Sequence, residues 1–91
     1  MIRPLDLQAL ISLFLRLKGR KGTSAELELV GQTLDCLEND QSIRRWMPRL
    51  AAAYTAVRQR PSSERRWCIL ALEGLTLVRQ LQRHLIQEVR S

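Results

Sequence analysis

Histidine, cysteine, proline, glycine and aromatic residues are all scarce in this chain, and each shortage removes a class of explanation. The single histidine, His84, has no cysteine or cluster of acids near it in sequence. No nucleophile with its base, and no acid–base couple, is therefore laid out along the chain. The two cysteines, Cys36 and Cys68, sit inside helical patterns among apolar neighbours. Their spacing matches neither a disulfide framework nor a zinc site, and free thiols suit a reducing compartment. No long apolar run is present either. The densest one, Leu5 to Leu17, is broken by Asp6, Gln8, Ser12 and Arg16, falls short of the ~20 residues a membrane span needs, and lacks a small-residue cleavage site. The expectation is a soluble, cytoplasmic protein with no membrane partner.

Short motifs are as sparse. Gly19-Arg20-Lys21-Gly22-Thr23-Ser24 invites comparison with a phosphate-binding loop, but it follows a helical pattern and lacks the Gly-x-x-x-x-Gly-Lys spacing. The acids Glu26, Glu28, Asp35 and Glu38 lie on an amphipathic helix, with nothing to desolvate them. No catalytic residue, metal ligand or cofactor is expected, and the protein is read as a non-enzyme. Leu50, Tyr54 and Trp67 loosely echo the tetratricopeptide pattern, but the small residues and terminal proline at their offsets are missing, so no family is assigned.

What is present is helix-forming material. Leucine, alanine, arginine, glutamine and glutamate dominate, and a hydrophobic content of 45% argues against disorder. The pattern predicts one all-helical domain over residues 1–91, a compact antiparallel four-helix arrangement with a long C-terminal helix. Pro4 opens the first helix and Gly19 stops it. Its apolar face is Leu7, Leu10, Ile11, Leu13, Phe14 and Leu17, opposite a polar strip of Gln8, Ser12 and Arg16. Thr23 and Glu26 form a Thr-x-x-Glu capping box for the second helix, whose stripe is Leu27, Val30, Leu34 and Leu37 and whose exposed positions include Glu26. In the third, Ile43, Trp46, Met47, Leu50, Ala53, Tyr54 and Val57 keep one stripe through Pro48, which should kink or restart it. Arg60 and Pro61 end it, and Ser62 or Ser63 caps the fourth.

The fourth helix carries more apolar surface than three short partners cover. Trp67, Ala71, Gly74, Leu75, Val78, Leu81, Leu85 and Val89 share one face at 100° per residue and are assigned to the core. Ile69 and Leu72 project from the opposite side and Leu77 from the flank, after which that side becomes Arg79, Arg83, Gln87 and Arg90. Three leucine-sized side chains left in water point to a partner. Ile69, Leu72 and Leu77 are the predicted interface, with another protein or, as a homodimer, with a second copy.

Charge is divided unevenly. The net charge is +6, with five bases and six acids in residues 1–40 and ten arginines against three acids in residues 41–91. Arg44, Arg45, Arg49, Arg65, Arg66, Arg79 and Arg83 are the candidate contacts for an anionic partner. A helix-turn-helix over Leu34 to Met47, with Ser42 to Trp46 opening the reading helix, is the nucleic-acid alternative. It fits poorly, because the turn lacks glycine and Trp46 belongs to the apolar stripe. The reading reached from the residues is a non-catalytic interaction module of the regulator, antiactivator, adaptor or chaperone type, ahead of a basic nucleic-acid-binding protein.

Overall fold

The computed structural model describes the backbone of residues 7–90 and the side chains of residues 7–86. Pro4, Gln87, Val89 and Arg90, named above for a helix start, the core stripe and the polar half of the last helix, lie outside the described side chains. The elements are α1 (Leu7–Lys18), α2 (Ser24–Glu38), one 3₁₀ turn (Arg44–Trp46), α3 (Met47–Gln59) and α4 (Glu64–Arg90), with no strand among the described residues. α4 has 27 residues, about 40 Å at 1.5 Å per residue. It therefore spans almost the whole 44 Å long axis of the molecule. α1 and α3 both pack against α4, and α2 packs against α3.

The α1–α4 contact is made possible by one glycine. A Cβ built on Gly74 would fall on the ring of Phe14, which is completely buried. Glycine inside a helix costs about 1 kcal/mol relative to alanine. Here that cost is offset by letting the Phe14 ring lie against the α4 backbone. Leu10, Leu13 and Leu17 of α1 are buried with it. At one end of this seam Gly22 leaves room for the Trp67 ring, 2.6 Å from where a Cβ would stand. Trp67 itself is buried and donates its indole N–H to the Pro61 carbonyl at 2.7 Å. A large apolar ring is thus accommodated with its one polar atom satisfied.

The buried arc of α4 differs from the expected one. Trp67, Ala71, Gly74, Val78 and Leu81 are in the core as expected, but Leu70 and Leu77 join them and Leu85 is exposed. The arc is rotated toward the side carrying Leu70 and Leu77, because α3 packs on that flank while α1 covers the other. Leu77 is only 2% exposed, which corrects its assignment to an outward-facing interface.

Local signals in the connections hold. Thr23 Oγ1 accepts the Glu26 amide at 3.2 Å and Glu26 Oε1 accepts the Thr23 amide at 3.0 Å, completing the capping box. Glu26 is nevertheless only 8% exposed, against the expectation of an exposed acid. Arg20 explains this, since its guanidinium donates to both carboxylate oxygens, at 3.1 and 3.2 Å, and to the Lys21 carbonyl at 3.0 Å. The loop is folded back over the acid. Beyond α2, Asp40 Oδ1 accepts the Ser42 amide at 3.0 Å and its hydroxyl at 2.7 Å. Those two bonds hold the Asp40 carboxyl below its usual range. Pro48 falls in the first turn of α3, where no amide donor is needed, and the 3₁₀ turn before it carries the stripe onward. Ser63 Oγ accepts the Arg66 amide at 3.3 Å, so Ser63 is the cap of α4.

Gly74→Ala is expected to lower stability by about 1–3 kcal/mol despite the gain in helix propensity, because the Phe14 ring has no space to yield. Thermal melts check this, and Phe14→Leu in the same chain should recover part of the loss. For Glu26, burial pushes the carboxyl up, but hydrogen bonds from Arg20 and the Thr23 amide, with the Arg20 charge, bring it below its usual value. A lowered folded-state pKa gives stability that is complete above the unfolded carboxylate range and is lost as pH falls through the folded value. Glu26→Gln should therefore destabilise by roughly 1 kcal/mol at neutral pH. Denaturation curves of the variant and the wild type should converge as the solution is acidified.

Candidate protein-interaction surface

Residues at three- and four-residue spacing that escape the core form a strip along the outer side of α4. It runs through Arg65, Ile69, Leu72, Thr76, Arg79 and Arg83, all exposed. Ile69 is 43% and Leu72 46% exposed. Two of the three predicted apolar anchors thus stand where they were placed, and Leu77 does not.

α1 carries one further exposed leucine. Leu15 is 54% exposed. Lys18, one turn further along α1, lines an open hollow of about 440 Å³ together with Arg65 and Cys68 of α4. Leu15 lies on the Lys18 side of α1, and Leu72 lies one turn beyond Cys68. Leu72 thus stands one turn from this hollow on α4, whereas Leu15 is on the outward side of α1. Sequence reasoning missed Leu15, although a signal was available: on a 100° wheel it falls with Gln8 and Ser12 on the polar strip of α1, not with Leu10 and Phe14.

Cations border these anchors on both sides. In the hollow, Lys18, Arg20, Lys21 and Arg65 face a single acid, Glu64. On the α3 side an open groove of about 300 Å³ is lined by Arg45, Trp46, Pro48 and Arg49 opposite Glu73, Thr76 and Gln80. Arg45 lies 4.7 Å over the Trp46 ring, and Trp46 meets the edge of His84 with centroids 5.3 Å apart. His84 is thus half-buried against an aromatic ring and not on the open surface.

The candidate arginines do not form one patch. Arg44, Arg45 and Arg49 stand at the start of α3, and Arg65 and Arg66 follow its far end, separated by its 13 residues, about 20 Å. Arg66 is half-buried and donates to the Ala56 carbonyl at 2.8 Å, closing the C-terminus of α3. It is a structural cation. The proposed reading helix of a helix-turn-helix is not formed as expected either, since Ser42 and Ile43 lie in a turn and α3 begins at Met47.

The chain has no significant match among known family models, curated proteins or solved structures. The surface is therefore interpreted from its own chemistry. Among the described residues no group of three histidine, cysteine or acidic side chains could hold a metal ion. Among them, too, no helix is long and apolar enough to cross a membrane. Cys36 and Cys68 are free and half-buried.

The two kinds of arginine should separate in denaturant titrations. Arg66→Ala is expected to lose about 0.5–1.5 kcal/mol with its hydrogen bond to the end of α3, whereas Arg83→Ala should stay within about 0.5 kcal/mol of wild type.

Proposed function

We propose that this protein is a non-catalytic protein–protein interaction module, of the regulator, antiactivator, adaptor or chaperone kind, acting in the cytoplasm by docking the outer α1–α4 face against another protein chain. The observation that carries this reading is the exposure of the large apolar side chains Ile69 and Leu72 on α4, joined by Leu15 on α1, all close to half exposed. Completing the burial of such side chains is worth roughly 1 kcal/mol each, about half of the full-burial value. Three such side chains supply about 3 kcal/mol, short of the ~4–15 kcal/mol that association costs, so the neighbouring charges must contribute as well.

The reading also takes α1 and α4 to run antiparallel. Phe14 meets Gly74 while Lys18, later in α1, meets Cys68, earlier in α4. A helix surface suits docking better than a loop, because the backbone that carries the anchors is already ordered. Self-association, expected from the apolar excess of α4, would use the same face, and the mass of the protein in solution reads it directly. Nucleic-acid binding has weaker support, because the arginines assigned to it are split between the ends of α3 and one of them is bonded internally.

The test is selective loss of a bound protein. In pull-downs from the native host, Leu72→Arg should remove a partner retained by wild type while shifting stability by no more than about 0.5 kcal/mol. Leu77→Ala, which opens the core, should instead cost about 2–5 kcal/mol. A partner retained equally by wild type and Leu72→Arg would sink the assignment of this face. Recovery of nucleic acid alone, lost in Arg44→Ala with Arg45→Ala, would favour the alternative.

A further inference from the structure

The charges around the exposed anchors say what kind of chain fits them. Resting on the docking reading above, we infer that the outer α1–α4 face accepts an amphipathic helix whose apolar stripe is bordered by aspartate or glutamate, supplied by another protein and not by a second copy of this face. Ile69 and Leu72 present a short exposed apolar centre on α4. Lys18 and Arg65 lie at one end of it and Arg79 and Arg83 at the other, all exposed. α1 holds no acid over its whole length. The acids nearest the face, Glu64 and Glu73, each share a hollow with a larger number of cations. A helix carrying leucines at three- and four-residue spacing reaches such a row of anchors, and carboxylates bordering its leucines at either end meet the cations.

The same charges oppose a second copy in the parallel arrangement and in the antiparallel register centred on Leu72. Arg65 and Arg79 stand seven residues to either side of Leu72. If two α4 helices met antiparallel about Leu72, Arg65 of each would face Arg79 of the other. If they met parallel, every arginine would meet its own image. Like charges brought together across an interface are strongly disfavoured. The acidic helix α2 of a second copy would satisfy the charges but offers one exposed large anchor, Leu29, and such a head-to-tail contact would extend without closing. An anionic membrane surface is a poorer match, because arginines interrupt the apolar strip in line with the anchors and leave no continuous face to insert.

The test uses the full chain and two labelled helix-forming peptides of about 18 residues, five turns. Both carry leucines at the same positions, one with glutamates and one with lysines on the flanks, and binding is read by fluorescence anisotropy. The glutamate peptide should bind about ten-fold or more tightly than the lysine peptide, and more weakly as salt rises. Leu72→Ser should weaken it by about ten-fold, and Arg79→Glu with Arg83→Glu should reverse the preference, with thermal midpoints confirming that both variants are folded. Equal affinities, a preference for lysine, or no binding of the glutamate peptide at millimolar concentration would overturn the inference. If the lysine peptide binds as well and Leu72→Ser abolishes both, the docking face stands and only the acidic class is wrong. If the wild type instead sediments as a dimer that Leu72→Ser dissociates, the occupant is a second copy. If only phosphatidylserine-containing vesicles are bound, the protein-docking reading fails with it.

Discussion

The contact between the Phe14 ring and the backbone at Gly74 is the constraint on which the rest of the molecule depends. It sets the distance between α1 and α4 where their apolar faces meet, and it places Leu10, Leu13 and Leu17 against the arc of α4 that includes Ala71 and Val78. With α1 settled on one flank of α4, α3 takes the other, and the rotation of the buried arc toward Leu70 and Leu77 follows. A chain of this size buries only about two thirds of its unfolded surface, so each helix face is either committed to the core or left outside. On α4 the outside remainder includes the strip from Arg65 to Arg83 and, beyond it, Leu85 and Ile86.

The packing also sorts the cations. Arg20 is drawn over the capping box to Glu26, and Arg66 closes α3 through the Ala56 carbonyl. These two serve the fold. Arg65, Arg79 and Arg83 have exposed side chains on a helix whose inner face is full, so their charge is directed outward. The strong net charge is therefore not a uniform coat. Arg65, Arg79 and Arg83 share the outer strip of α4 with exposed Ile69 and Leu72, while Arg44, Arg45 and Arg49 stand apart at the start of α3.

Much of the architecture was legible from the residues. The capping box, the stop at Gly19, the stripe of α3 through Pro48 and the start of α4 after Ser63 are all governed by interactions within a few positions of one another. Ile69 and Leu72 were legible for the same reason, because their separation from the core face follows from the angle of one helix alone. Leu77 and Leu85 were misplaced, and Leu15 was overlooked. The exposure of Leu77 and Leu85 depends on where a second helix lies, about which a helical wheel has no information, whereas that of Leu15 follows from the wheel of α1 alone.

The sequence by itself determined that the protein is helical, where its helices begin, and that one of them is long with an apolar remainder, since these follow from local hydrogen bonding, proline and glycine geometry and the 3.6-residue period. Only the tertiary structure decided which side of α4 is covered, that Glu26 is buried under Arg20, and that Arg66 is spoken for. Those facts arise from side chains distant in sequence competing for the same space. The outcome of that competition is set by shape and by the charge of the neighbour, neither of which is written in the periodicity of a single segment.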